Sequence, residues 1–494
     1  MTSPARTRFA PSPTGRTHIG SARTALYDFL LARQSGGQFI LRIEDTDVKR
    51  TVAGAEAELM DSLRWLGLEW DEGPDVGGPC GPYRQSERAA IYRQHTQRLL
   101  DEGHAYPCFC SPERLAQMRQ DQQKRKEPPR YDGLCRDLAP AEALSRIERG
   151  ESYVVRFRTP RQGTTTAVDL LRGPITVENA TIDDYVLVRS DGLPVYHLAA
   201  MVDDHLMRIS HVLRSSEWLP TFPLHALVVR ALGWPEPVWV HLSVFLSPSG
   251  KGKMSKRHAV DAKGGALSIY PMDLRDLGYL PEGVLNWLAL MGWSYDDRTE
   301  IFTLADLVQR FSVDRLHPSP AAVNFTKLDH FNGIHLRALP LVELTRRLLP
   351  FFHRAGLPAD AENLGRIAPL LQERIRTLDE AVEMAGFFFR DHIEVAPSAL
   401  HIEGRTPAES AVLLQQAHDA AAQVENWQAE EIERPLRSLA DQTGLTAGQL
   451  FGAMRMAITG QAVSPPLFET MEIIGRAICL DRLGAAARQA RQAG

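Results

Sequence analysis

Long apolar runs are missing from this chain. No stretch is long enough to span a bilayer, and the opening residues, Met1-Thr2-Ser3-Pro4-Ala5-Arg6, lack the apolar centre of a secretory leader. A cytoplasmic protein with no membrane attachment is therefore expected. Cysteine is also scarce, with five in 494 residues: Cys80, Cys108, Cys110, Cys135 and Cys479. An odd count with three clustered members argues against a disulfide framework and suits a reducing compartment, where such a cluster can serve a metal. Nor is there an excess of positive charge, because 56 Lys and Arg face 61 Asp and Glu for a net −5. A polyanionic partner such as RNA must then be held by local basic patches, and bulk charge cannot decide whether one exists. Internal repeats and low-complexity tails are absent too, which excludes solenoid arrays. What remains is an ordinary globular composition, 44% hydrophobic and 24% charged, on a chain long enough for three or four domains.

The first hundred residues alternate strand and helix signals. Thr7 to Ala10 reads as a short strand, and Pro11-Ser12-Pro13-Thr14-Gly15 as a turn. A helical pattern runs from His18 to Arg33 and stops at Gly36-Gly37, Gln38 to Glu44 reads as a second strand, and Ala53 to Leu66 as a second helix. This rhythm predicts an α/β domain with a parallel sheet covered on both faces. From about Gly103 the rhythm breaks into a cysteine pair, a polar stretch from Gln117 to Arg130, and β-like runs such as Tyr153 to Phe157, as an insertion would. The α/β pattern resumes near Tyr185. It predicts a weak strand over Arg208–Leu213, a helix over Glu217–Leu232, and a strand over Val238–Leu246 that feeds a loop rich in Gly, Ser and Lys. After about Phe325 the chain is nearly all helical by pattern, with Leu341, Leu344 and Leu348 on one face, and Leu450, Met454 and Ile458 on another.

Two short motifs carry chemistry. Thr17-His18-Ile19-Gly20-Ser21 sits after a strand and turn, where a helix begins. Unpaired N–H groups and the positive end of the helix dipole are expected to attract phosphate there, His18 can donate to phosphate oxygens, and Gly20 lets a flat base approach. Taken alone, the motif reads better as a helix start with an ordinary capping histidine, since four-residue patterns arise easily by chance. Lys251-Gly252-Lys253-Met254-Ser255-Lys256-Arg257-His258 places four Lys and Arg cations on a loop after a strand. Such a loop can close over a triphosphate and offset charge that develops in a transition state, and alone it reads equally well as a solvated basic loop.

Together, on one α/β domain, the two motifs resemble the paired signatures of class I aminoacyl-tRNA synthetases, the His-Ile-Gly-His and Lys-Met-Ser-Lys-Ser types. Ser21 and Arg257 depart from the consensus. Further stretches narrow the resemblance to bacterial-type glutamyl-tRNA synthetases: Arg8-Phe9-Ala10-Pro11-Ser12-Pro13-Thr14-Gly15, Arg42 to Asp47, Gly81 to Ser86, Tyr196 to Ala199, Val202 to His205, and Leu213 to Trp218. The resemblance covers essentially the whole chain. It implies a Rossmann-type parallel sheet with an inserted acceptor-binding domain, followed by an all-α anticodon-binding region. In numbers, this is catalytic halves at 1–103 and 185–258, the insertion at 104–184, a stem-contact domain at 259–324, and the helical region at 325–494.

The resemblance also implies roles. His18, Lys253 and Lys256 act in catalysis, while Gly15, Gly20, Ser21 and Ser255 join them in holding ATP with its Mg2+. L-Glutamate is contacted by Arg8, Ala10, Ser12, Glu44, Tyr196 and Arg214. A bidentate arginine suits a carboxylate, with Arg214 expected on the side-chain carboxylate and Glu44 on the ammonium. An internal ion pair is the other reading of Arg8 and Glu44. Ala200 stands where relatives usually have Asn. Arg374 aligns with an arginine that helps reject tRNA(Gln) in discriminating relatives, although the residues themselves favour one exposed helical arginine among many. Cys108, Cys110 and Cys135 are three candidate zinc thiolates, with Tyr131 or Asp137 as the fourth ligand, and three metal-free thiols are the alternative. Partners are glutamate, ATP and tRNA(Glu), with tRNA(Gln) left open, and a monomer is expected. The competing functions are a catalytically inactive tRNA-binding paralogue and another nucleotidyltransferase of the superfamily. Both motifs being present argues against the first, and the long helical region argues against the second.

Overall fold

A computed structural model describes residues 4–254 and 268–492. Ser255, Lys256, Arg257 and His258 lie outside the described residues. The chain divides into two compact units: Met1–Asp273 with Val284–Phe325, and Leu274–Gly283 with Thr326–Gly494.

In the first unit, β1 (Arg6–Phe9) leads through α1 (Ile19–Gln34) to β2 (Gln38–Leu41), which pairs with β1 in parallel. Both strands are buried apart from their first residues, and α1 is buried on nearly every side, from Ile19 to Ala32. Helix α2 (Ala55–Trp65) and helix α3 (Ala89–Asp101) follow. Then comes the break seen in the sequence: β3 (Ala105–Cys108), α4 (Pro112–Lys124), α5 (Pro140–Glu148), β4 (Val154–Phe157), the hairpin β5 (Thr164–Asp169) and β6 (Gly173–Glu178), and β7 (Val186–Val188). β3, β4 and β7 form an antiparallel sheet. Helix α6 (Tyr196–Leu206), β8 (His211–Ser215), α7 (Phe222–Ala231) and β9 (Val238–Leu242) resume the α/β pattern, and β8 pairs with β9 in parallel.

Strand β1 lies beside β8, because Ser210 N–H donates to Arg6 O at 2.9 Å and Arg6 N–H to Ser210 Oγ at 2.8 Å. The lateral order is therefore β2, β1, β8, β9. The chain runs outward from β1 to β2 and returns on the other side of β1. Such a reversal opens a crevice at the carboxyl ends of the two inner strands, where open α/β sheets bind ligands. Arg8 and Arg214 sit near the ends of these strands.

Three local expectations need correction. The strand anticipated from Arg208 starts at His211, because Arg208 ends the preceding helix in a left-handed turn, at φ 55. The helix anticipated over Glu217–Leu232 is split into a 3-10 turn, Ser216–Thr221, and α7, because Pro220 and Pro223 lack an N–H. The strand anticipated over Val238–Leu246 breaks after Leu242 and resumes as β10 (Phe245–Leu246).

The second unit is helical, and no strand occurs among the described residues beyond Ala322. Helices Leu341–Arg354 and Ala361–Gln372 share one core with Ile375 and Ala381, and helices from Pro407 to Gln492 share another. Leu450, Met454 and Ile458 are fully buried as the pattern predicts. Of the other trio, Leu344 and Leu348 are buried, but Leu341 is exposed as the first residue of its helix. Asp360, Thr406 and Thr446 start their helices with reciprocal capping boxes. Among the described residues, no helix is long and apolar enough to cross a membrane.

Candidate active site

At the switch between β1 and β8 lies a cavity of about 880 Å3. It gathers most residues proposed from the sequence: Arg8, Ala10 and Ser12 from the end of β1, and His18, Gly20 and Ser21 from the start of α1. Glu44 enters beyond β2, Tyr196 from α6, Arg214 from β8, and Lys253 after β10. Gly15 does not line it, although Thr14 does, and Gly15 has open space where a side chain would point. Ala200 is fully buried one turn from Tyr196 and does not line it either. Arg23, Arg189 and Trp218 line the cavity without having been singled out. Trp218 stacks on Tyr196 with ring centroids 3.9 Å apart, and its presence in a matching stretch was the one available signal.

The start of α1 differs from expectation. Its first N–H groups are already bonded: Ile19 donates to Ile269 O at 2.8 Å, Gly20 to His18 Nδ1 at 2.9 Å, and Ser21 to His18 O at 2.9 Å. A helix end packed inside a domain satisfies its donors locally. The helix dipole remains, and so does His18 Nε2. Because Nδ1 accepts from Gly20, the neutral ring carries its proton on Nε2. Burial, with the nearby charge of Lys253, pushes the His18 pKa down to about 4. His18 therefore presents a neutral N–H donor at the cavity. Lys253 Nζ stands 2.7 Å from Glu217 Oε1, both side chains being exposed, so its charge is loosely held at the rim.

Beneath the pocket lies a buried ionic cluster. Arg8 Nε bonds Asp204 at 2.9 Å, and Arg42 bonds Asp204 at 2.7 Å and Glu44 at 3.0 Å. Arg88 bonds Asp203 at 2.7 Å, and Asp203 also accepts from Gln85 and Tyr92. Three guanidinium groups, Arg8, Arg42 and Arg88, thus face three carboxylates, Glu44, Asp203 and Asp204. Arg8 and Glu44 do not pair with each other. Each has an internal partner and still faces the cavity. Burial raises the pKa of Glu44, although Arg42 opposes the rise.

Arg214 is the exception. It is 4% exposed and makes no ion pair among the described residues. Its bonds go to His241 Nε2 at 2.9 Å, His225 Nδ1 at 3.0 Å and the Tyr196 hydroxyl at 3.4 Å. Burial lowers its pKa, as expected for a cation that lacks a counter-charge. A buried, oriented and unneutralised arginine in a cavity is a receptor for an anion, and its planar fork suits a carboxylate.

The three clustered cysteines form a second site. Cys108, Cys110 and Cys135 place their sulfurs within 4.8 Å of one another, with Cys110 and Cys135 3.6 Å apart. Tetrahedral zinc would separate two thiolates by roughly 3.8 Å, so the spacing fits. The Tyr131 hydroxyl stands 3.3 Å from Cys108 Sγ and 3.4 Å from Cys110 Sγ. Asp137 instead turns outward to Arg158 and Arg161. In the second unit, Arg374 is exposed just after Ala361–Gln372. Among the described residues, Cys80 and Cys479 join no such cluster.

Comparison with known proteins agrees with this geometry. The family profile "tRNA synthetases class I (E and Q), catalytic domain" matches residues 4–330, and "Anticodon binding domain" matches residues 343–487. A glutamate–tRNA ligase of Dehalococcoides mccartyi strain 195 is 45% identical over 491 residues, covering 98% of each chain. That of Roseiflexus castenholzii is 46% identical, over 98% of this chain and 96% of its own. Among solved structures, a glutamate tRNA ligase from Elizabethkingia meningosepticum, in complex with its amino acid, aligns with a TM-score of 0.88 at 35% identity. That alignment covers 98% of this chain and 99% of that one.

Proposed function

This chain belongs to the class I tRNA synthetases of the glutamyl and glutaminyl family, and from that premise we propose that it activates L-glutamate with ATP and joins it to the 3′ end of tRNA(Glu). The observation that carries the choice of glutamate is Arg214. A glutamine carboxamide would leave this buried cation without a counter-charge, whereas a side-chain carboxylate supplies one.

In the first step a glutamate α-carboxylate oxygen attacks the α-phosphorus of ATP. The bond to the β-phosphate bridging oxygen breaks, and diphosphate leaves with its Mg2+ as glutamyl-adenylate forms. In the second step a ribose hydroxyl of the terminal adenosine attacks the activated carbonyl and AMP departs. No covalent enzyme intermediate is needed, so the protein contributes positioning and charge stabilisation. Arg214 and Tyr196 hold the side chain, Glu44 the ammonium, and Arg8, Ala10 and Ser12 the rest of the amino acid. His18 donates from Nε2 to the phosphates, beside Gly20 and Ser21. Lys253, with Ser255 and Lys256, meets the charge on departing diphosphate. The family resemblance implies that tRNA binds before activation begins.

Cys108, Cys110, Cys135 and Tyr131 would hold a structural Zn2+ that shapes the inserted segment. Arg374 would meet an anticodon base, and tRNA(Gln) would be weighed there. The deciding experiment is glutamate-dependent pyrophosphate exchange with and without tRNA(Glu), followed by charging of purified tRNA(Glu) and tRNA(Gln). Exchange that appears only with tRNA(Glu) supports the reading. Exchange with neither points to an inactive paralogue.

A further inference from the structure

Arg214 is held in place without being neutralised. Guanidinium groups carry only N–H donors, so the His241 and His225 nitrogens that face it must both be acceptors. This fixes the tautomers along two chains of contacts. His241 carries its proton on Nδ1, 2.8 Å from Asp169 Oδ2, and His225 carries its proton on Nε2, 2.9 Å from His197 Nδ1. Asp169 is pinned in turn by the backbone N–H groups of Leu171, Arg172 and His241. His225, His241 and Asp169 are fully buried, and the Trp239 ring centroid lies 4.8 Å from the Arg214 guanidinium carbon.

We propose that His241, His225 and Asp169 are positioning residues for amino-acid selection. They clamp Arg214 through neutral nitrogens, so that its direction is set while its charge stays free for the carboxylate of an acidic amino acid, in preference to the carboxamide. This inference deepens the functional reading above and rests on Arg214 facing the substrate. A carboxylate in place of either histidine would orient the guanidinium equally well, but it would also close the ion pair internally and leave nothing for the substrate. The donor count agrees. Of five N–H directions, His241, His225 and Tyr196 take three, and the two left over belong to the terminal nitrogens. Asp169 ends β5 and aligns with Trp239 of β9, so the inserted segment itself supplies a support of the amino-acid pocket.

The test uses the full chain with tRNA(Glu) in pyrophosphate exchange, reading KM for glutamate, KM for ATP and the glutamate-to-glutamine preference. Wild-type protein is measured first, and if it fails to exchange, the functional reading falls, independently of this inference. Given an active wild type, H241L and D169N are expected to raise the glutamate KM by about tenfold or more and leave the ATP KM within about twofold. In D169N the amide N–H drives the ring proton of His241 toward Arg214, donor against donor. H241Q can accept from Arg214 and donate to Asp169, and should return to within about threefold of wild type. H225E should lower the glutamate-to-glutamine preference by about tenfold or more. Should H241L fail to fold by thermal melt, the isosteric D169N decides the matter. An unchanged glutamate KM in folded D169N, or equal losses for glutamate and ATP, would overturn the proposal.

Discussion

Two buried arginines of the first unit should respond differently to the same substitution, one losing stability and the other keeping it. Arg42 and Arg214 are 0% and 4% exposed. Arg42 lies between Asp204 and Glu44, within 3.8 Å of Asp203, whereas Arg214 has only neutral partners. Arg42→Met strands carboxylates in the interior, at a cost of about 3–5 kcal/mol. At roughly 2–4 °C per kcal/mol, Tm should fall by about 6–20 °C. Arg214→Met removes a desolvated, unpaired cation, a relief of several kcal/mol. Against that stand two orphaned imidazole acceptors, at about 1–3 kcal/mol each. The two nearly cancel, so Tm should stay within about 4 °C of wild type. Activity should separate the other way for Arg214. Losing two charge-assisted bonds to a substrate carboxylate, at about 1.5–3 kcal/mol each, lowers kcat/KM for glutamate by roughly two to four powers of ten. Differential scanning calorimetry and pyrophosphate exchange on the same preparations read both quantities. If Arg214→Met melts as early as Arg42→Met, or keeps its glutamate activation, then Arg214 is a structural cation and the argument for substrate choice fails.

Other consequences can be checked separately. With a pKa near 4, His18 is neutral across the working range, so the ratio of wild-type to His18→Gln kcat/KM for ATP should stay flat from pH 6 to 8.5. A ratio that falls as pH rises through about 6.5 would show that the imidazolium is the active form. Asp28 is fully buried, both its carboxylate oxygens lack a hydrogen-bond partner among the described residues, and burial lifts its pKa well above the ordinary value. The native state therefore keeps a proton that the unfolded chain releases above about pH 4, and stability is lost as pH rises from there. Asp28→Asn should raise Tm more at pH 8 than at pH 5, and an equal shift at both would contradict the assignment. His197 and His241, held near pKa 4 by burial, act in the opposite sense. The unfolded state takes up their protons below about pH 6.5, so each costs up to about 1.4 kcal/mol per pH unit between 6.5 and 4. The acid side of the Tm profile should flatten in His241→Gln. For the thiol site, elemental analysis should find about one zinc per chain, lost in Cys135→Ser along with a few degrees of Tm, and a metal-free wild type would favour plain buried thiols.

Much of the fold could be read from local signals. The strand and helix alternation before Gly103, its interruption, its return near Tyr185 and the helical C-terminal third are all periodicity and turn chemistry, and these depend on near neighbours along the chain. The misreadings came where local pattern met a stronger constraint. Pro220 and Pro223 split one helix because each lacks an N–H, and the left-handed turn at Arg208 delayed to His211 a strand expected to begin there. At the site, motif matching named residues that do line one cavity, from Arg8 to Lys253. It passed over Arg23, Arg189 and the histidines behind Arg214, because a histidine inside an apolar run looks like any core residue.

The sequence by itself determined the inventory: a histidine where a helix starts, lysines on a glycine-rich loop, arginines at strand ends and three cysteines within reach of one another. Only the tertiary structure decided which arginine is free. Arg8, Arg42 and Arg214 carry the same group at the same kind of position. Arg8 and Arg42 meet Asp204, 196 and 162 residues away, while Arg214 meets His241 and His225. Whether a buried charge is compensated depends on distances of a few ångströms through a medium of low dielectric. Those distances are set by how β1, β8 and α6 pack, which the order of residues along the chain does not reveal.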